Sequence, residues 1–156
     1  MKIREVEYSR LFNLSNYQNE RIGFKVEISD SEDPNAVIGQ LFFRVLEVER
    51  IFQRYRDLLR KISRTEDYIR DLERDIERYD NEIANLERRL AEYKEREDIR
   101  QCIIVDTAEL LEETRERLEK TKFELQNTVK QLEDLRKKKR ELEELIKAGK
   151  FDFEGV

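Results

Sequence analysis

The sequence predicts a mainly α-helical protein: a long antiparallel two-helix coiled-coil hairpin with a small N-terminal β-hairpin, or ββα, head. Two observations lead to this fold class. Apolar residues recur at alternating steps of three and four over two long stretches, whereas residues 1–30 show a period of two. With only four glycines and one proline, the chain should contain a few long elements.

The two heptad stretches form narrow apolar seams that a single helix cannot bury by itself. The first seam consists of Leu58, Ile62, Thr65, Ile69, Leu72, Ile76, Tyr79, Ile83, Leu86, Leu90 and Tyr93. The second consists of Leu111, Thr114, Leu118, Thr121, Leu125, Thr128, Leu132, Leu135, Lys139, Leu142 and Ile146. We therefore expect antiparallel pairing about a bend near Cys102. The predicted layers are Leu90 with Thr114, Leu86 with Leu118, Ile76 with Thr128, Leu72 with Leu132, and Thr65 with Lys139.

The head is predicted from two runs of alternating residues that form strands at about 3–14 and 20–29. Their apolar members share one parity, which indicates one apolar face: Val6, Tyr8, Phe12 and Leu14, then Ile22, Phe24, Val26 and Ile28. Asp33 has the side chain of a helix cap, and Pro34 suits a first helical position, so a helix should begin at residue 34. Its apolar set between residues 37 and 62 is broader than a two-helix seam needs, and the excess is expected to cover the strand pair.

These elements predict three regions: a head over 1–60, a coiled-coil arm over 61–148 and a tail over 149–156. The capping-box spacing of Ser63 and Glu66 would allow a break, but the seam crosses it in phase, which favours one continuous helix. A second capping signature at 106–109 and the terminator Gly149 predict a second helix from about 107 to 148. The tip of the arm is then 98–106, and the tail should return to the head, where it could add a third strand.

Composition favours an interaction protein over an enzyme. Charged residues make up 44% of the chain, the net charge is −5, and there is no histidine for proton transfer at neutral pH. A single cysteine lacks the spacing of a zinc site, so neither a metal nor a cofactor is expected. No apolar run suggests a signal peptide or membrane span, which predicts a cytoplasmic protein. Abundant Arg and Glu would also suit a thermophile.

The expected partners begin with a second copy of the chain. A two-stranded sheet leaves unpaired edges, so a homo-oligomer, a dimer or higher, should form through the head sheet. The arms could instead associate side by side, since Phe123 and Val129 lie off the seam.

A second predicted contact surface is an apolar set near the bend, which we call the tip cluster. It consists of Ile99, Cys102, Ile103, Ile104 and Val105. Exposed apolar groups of this kind mark protein contacts. The alternative is that Ile103 and Val105 fold inward and cap their own coiled coil. Cys102 is interpreted as a small apolar residue, because no histidine can activate it.

A third candidate is a set of cations that we call the basic neck, which could grip nucleic-acid phosphates. It consists of Arg54, Arg56, Arg60, Lys61, Arg64, Lys137, Lys138 and Arg140. Ion pairing with Glu141, Glu143 and Glu144 on the opposite helix is the alternative explanation. The threonines at 107, 114, 121 and 128 likewise allow two readings, small register-setting residues or a ligand-binding hydroxyl ladder.

Two resemblances bear on function. The coiled-coil arms with a β head resemble prefoldin subunits, although prefoldin places its β-hairpins between the helices, whereas here the strands precede both. The run FNLSNYQNERI at 12–22, with the strand and Asp33-Pro34 that follow it, resembles small uncharacterised phage and mobile-element proteins. The likeness spans 12–34 and implies a viral setting, hence the host cytoplasm. The predicted function is a non-enzymatic scaffold or adaptor; the alternatives are a nucleic-acid-binding accessory protein and a prefoldin-like holdase.

Overall fold

The computed structural model describes residues 3–13, 19–96 and 98–149. The elements are strands β1 (Glu5–Asn13) and β2 (Asn19–Glu27), followed by helices α1 (Pro34–Glu95) and α2 (Gln101–Lys147). The two long helices pack together, and the strands form an antiparallel hairpin, which confirms the predicted fold class. The predicted tail after Gly149 lies outside the described residues.

The chain divides into two compact units. The first, which we call the head unit, combines Met1–Leu59 with Lys139–Val156, and the second, the coiled-coil unit, is Arg60–Lys138. Helix α1 runs without a break through residues 63–66, so the prediction of one continuous helix is confirmed.

The sheet of the head unit has the apolar face that the alternation predicts. Val6 pairs with Val26 and Tyr8 with Phe24, so the apolar residues of both strands point to the same side. Val6 is buried together with Val37 and Leu41 of α1, which shows that this side faces the helix. The ladder extends by one more bond, in which the Ile28 amide donates to the Arg4 carbonyl at 3.0 Å.

Gly23 lies opposite Ser9 in the hairpin, and a Cβ atom at residue 23 would lie 2.6 Å from the Ser9 Cβ. We therefore expect Gly23→Ala to destabilise the head unit by about 1–3 kcal/mol, because the strands must separate to accept the methyl group. Chemical denaturation measures the loss. Adding Ser9→Gly removes the clashing Cβ and should restore most of the stability; failure of that rescue would contradict the steric explanation.

The start of α1 follows the predicted capping. The Asn35 amide donates to Asp33 Oδ1 at 3.1 Å, and the Val37 amide donates to the Asp33 carbonyl at 3.2 Å. Pro34 occupies the first helical position, where its missing N–H leaves no bond unmade. The cap therefore determines where the strand region ends and the helix begins.

The C-terminal end of α2, from Lys139, belongs to the head unit and contacts α1 there. Tyr55 Oη donates to Glu143 Oε1 at 2.7 Å, and Arg44 Nη2 donates to the Gly149 carbonyl at 3.3 Å. Gly149 has a φ of 64°, the left-handed conformation that glycine tolerates best, so it ends the helix as predicted. Between these contacts, Val45 and Ile51 of α1 are fully buried.

The predicted start of α2 was wrong. The helix begins at Gln101, six residues before the expected 107, so residues 101–106 are helical and not part of an extended tip. The capping signature failed because Thr107 lies inside the helix, where its hydroxyl donates to the Ile103 carbonyl at 2.7 Å. Segment 101–106 contains no glycine or proline, and its helical conformation brings the buried Thr107 into the seam.

The predicted layers of the coiled coil are also wrong, by one heptad. In the predicted register Tyr68 would lie level with Arg136, about 18 Å along the axis from Glu124. Tyr68 Oη nevertheless donates to Glu124, and that distance exceeds the reach of the two side chains. If the register is shifted by one heptad, the two bonded residues are separated by about 7.5 Å along the helix axis in each of three interhelical bonds. These are Tyr68–Glu124, Arg136–Glu66 and Arg115–Glu87.

The shifted register places Leu86 level with Leu111 and Leu72 level with Leu125. It follows from the short connection, because only residues 96–100 separate the two helices. Thr114, which is 1% exposed, is then level with Ile83, so a small side chain faces a large one across the seam. The coiled-coil unit thus keeps its predicted seam residues but changes their partners.

Candidate interaction surfaces

The head unit carries an exposed apolar surface, which we call the aromatic patch, formed by Ile38, Phe42 and Phe43 of α1. Phe43 is 65% exposed, and the other two are also exposed. The Phe42 ring makes edge-to-face contacts with Tyr8 at 5.7 Å and with Phe43 at 5.4 Å. These contacts hold the aromatic rings together at the surface, where they offer a preformed apolar surface.

The sequence interpretation missed this patch, because it assigned every apolar residue of 37–62 that the two-helix seam does not need to covering the strands. Successive helical residues point about 100° apart, so Leu41, Phe42 and Phe43 cannot all face the sheet. The buried positions of this helical segment recur at steps of three and four: Val37, Leu41, Val45, Val48 and Ile51. A helical projection of this segment would have found Phe43 outside the buried face.

The tip cluster lies at the start of α2 in the coiled-coil unit, apart from Ile99, which precedes the helix. Ile103 and Val105 are 39% and 44% exposed, so these two side chains do not fold inward. Cys102 is an exposed free thiol, while Ile99 and Ile104 are half-buried. The connection before the cluster is held by Arg96, which donates to both carboxylate oxygens of Asp98 at 3.0 and 2.7 Å.

The cations of the basic neck fall in both units. In the head unit, Arg54 and Arg140 are exposed, whereas Arg56 donates to Glu20 Oε2 at 2.9 Å, a partner on β2 that the sequence did not suggest. In the coiled-coil unit, the exposed cations are Arg60, Lys61, Arg64, Lys137 and Lys138. Arg60 and Lys137 have interaction partners of their own. Nucleic-acid binding by this set stays a prediction.

The threonines of the α2 seam bond to their own helix. The hydroxyls of Thr107, Thr114, Thr121 and Thr128 each donate to the carbonyl four residues earlier, at 2.7 to 2.9 Å. A threonine bonded in this way satisfies its hydroxyl and leaves the methyl group for packing. This arrangement supports the packing interpretation over the hydroxyl ladder.

A shallow depression on α2 is lined by Val105, Ala108, Glu109, Glu112, Glu113 and Glu116. Three of these carboxylates pair with cations of the same helix: Glu112 with Arg115 at 2.7 Å, Glu113 with Arg117 at 3.5 Å and Glu116 with Lys120 at 3.7 Å. Over 3–13, 19–96 and 98–149, no group of three His, Cys, Asp or Glu side chains could hold a metal ion.

Glu143 of the head unit interacts with one tyrosine and two lysines. The hydrogen bond from Tyr55 lowers its pKa below the ordinary 4.5, and Lys139, at 3.4 Å, and Lys147 act in the same direction. The same bond raises the pKa of Tyr55. The arrangement joins α1 to the last turns of α2 through a charge-assisted hydrogen bond.

Because the folded-state pKa of Glu143 is lowered, its contribution to stability is fully present above its unfolded pKa and is lost as the pH falls through the folded value. We expect the difference in thermal stability between wild type and Glu143→Gln to be constant at neutral pH and to shrink in acid. Thermal unfolding at a series of pH values measures it. A stability difference that stays constant down to pH 2 would contradict a lowered pKa of Glu143 in the folded state. Glu144→Gln, at an exposed position, is the control.

Comparison of this chain with protein-family models, with curated proteins and with solved structures found no match. The resemblances to prefoldin and to phage proteins therefore stay predictions. In the described part of the chain, neither helix has a stretch long and apolar enough to cross a membrane.

Proposed function

We propose that this protein is a non-enzymatic scaffold or adaptor, in which the head unit forms a homodimer and the coiled-coil unit binds a second protein through the tip cluster. The observation that carries the proposal is the exposure of large apolar side chains on each unit. Phe43 on the head unit and Val105 on the coiled-coil unit are both exposed in a chain whose residues are 44% charged.

Exposed apolar groups that lie next to one another favour protein contacts, because water is released when they are covered. In the head unit the supporting group is the aromatic patch. In the coiled-coil unit it is Ile103 and Val105, which point about 200° apart on α2 and so lie on either side of the half-buried Ile104. Elsewhere the helix surface carries ion pairs such as Asp71–Arg74 at 2.9 Å, which are solvated and contribute about 0.3–0.5 kcal/mol each.

Two measurements test the proposal. Sedimentation equilibrium of the full chain should give twice the 19.1 kDa monomer mass, and a monomer at concentrations of about 100 μM would overturn the dimer. A partner isolated from the native host after nuclease treatment should bind the purified chain and lose affinity for Ile103→Ser/Val105→Ser. Phe123→Ser, which also removes an exposed apolar side chain from α2, is the matched control and should bind normally.

A further inference from the structure

We propose that two head units associate through the first turns of α1, with Phe43 of each copy packed into the notch that Gly39 leaves on the other. The inference rests on the proposed function, since it specifies the contact of the homodimer. It names a helix face, whereas the sequence suggested the edge of the sheet.

The presence of a glycine at position 39, inside α1, is not explained by any contact within a single chain. Glycine destabilises the interior of a helix relative to alanine, because it has more conformational freedom to lose. A Cβ atom at this position would meet nothing within 4 Å, so no contact in the described chain requires its absence. The missing side chain leaves a notch on the helix surface, one turn before the exposed Phe43.

The notch and the ring are complementary under a two-fold axis. Gly39 and Phe43 lie four residues apart, on the same side of α1. When two copies of α1 cross antiparallel about a point midway between these residues, Phe43 of each copy lies level with Gly39 of the other. The contact is therefore made twice, as in an isologous dimer, and glycine lets the helix axes approach closely.

Charge complementarity supports a second copy as the occupant. The same crossing places residue 50 of one chain just beyond the N-terminus of α1 in the other, next to the turn that precedes Pro34. Arg50 is exposed and lies seven residues after Phe43, so it shares the stripe of Phe43 and Gly39. It would meet Glu32 and Asp33, which lie in the acidic turn before α1. Glu32 is fixed there, since its Oε2 accepts bonds from the Ser29 amide at 2.9 Å and hydroxyl at 2.8 Å.

Sedimentation equilibrium of full-length variants tests the contact. We expect Phe43→Ser to weaken the dimer at least about tenfold, as truncation of a central interface aromatic does. Phe123→Ser removes a phenylalanine of nearly the same exposure, 66%, from the coiled-coil unit and should leave the dimer unchanged. Arg50→Glu should weaken association, and the loss should be smaller at high salt, which screens exposed charges; an unchanged dimer would remove the charge pairing from the proposal.

Gly39→Ala separates the interface from effects on folding. The methyl group should raise the thermal stability of the monomer at dilute concentration, because alanine favours helix, and should weaken the dimer by filling the notch. Loss of both stability and dimer would indicate misfolding and contradict the proposal. If wild type is a monomer, the proposed function fails as well; if it is a dimer that tolerates Phe43→Ser and Gly39→Ala, only this contact is overturned.

Discussion

We expect Leu111→Ala to lower the free energy of unfolding by about 2–4 kcal/mol, and Leu86→Ala to have a similar effect. Both leucines are buried in the seam of the coiled-coil unit, where truncation leaves a cavity that the helices cannot fully close. Urea denaturation followed by helical circular dichroism measures the loss. Phe123→Ala removes more volume from an exposed position and should cost much less.

A double-mutant cycle turns this prediction into a test of the register. Because Leu86 and Leu111 share a layer, their substitutions should be coupled by about 0.5–3 kcal/mol. Leu118, the partner that the sequence predicted for Leu86, is one heptad or about 10 Å farther along and should show additive effects. If Leu86 were coupled to Leu118 and not to Leu111, the register predicted from the sequence would be correct.

The second large effect is expected in the head unit. Val45 is 0% exposed, and Val45→Asp would place a carboxylate where neither water nor a cation can reach it without local unfolding. We expect a loss of at least about 3–5 kcal/mol, because an unpaired buried charge is among the most costly single changes. Hydrogen exchange of the β1 and β2 amides measures it, since protection of these strands reports on the head.

The control for this substitution is Gln40→Asp, which introduces the same charge on the same helix at an exposed position. A carboxylate at this solvated position, in the second turn of α1, should cost at most about 0.5 kcal/mol, because aspartate is a somewhat poorer helix former than glutamine. If both variants lost the same amount of strand protection, the N-terminal part of α1 would tolerate no added charge at either position. The loss in Val45→Asp could then not be attributed to burial of the carboxylate.

Some features of the fold could be predicted from short-range pattern alone. Asp33-Pro34 and Gly149 mark helix ends because capping depends on neighbouring residues in the chain. The single parity of Val6, Tyr8, Phe24 and Val26 predicted one apolar face because side chains alternate along any strand. These inferences required no knowledge of what the elements contact.

The interaction surfaces could be predicted only in part. Ile103 and Val105 were named as a possible contact surface, but the sequence left open whether they fold inward, and only the structure shows that both are exposed. The aromatic patch was missed because composition does not say which residues of a broad apolar set reach the sheet. Arg56 was placed in a basic set, yet its partner Glu20 lies on β2, and no local pattern links a strand to a helix that follows it.

By itself the sequence determined that there are two heptad helices, a hairpin before them and one apolar side to each element, because these follow from local periodicity. Only the tertiary structure decided which layers meet. A heptad repeat looks the same after a shift of seven residues, so the seams allow both registers. The short connection between Glu95 and Gln101 selects one, and the exposed position of Phe43 follows likewise from how α1 packs on the sheet and on α2.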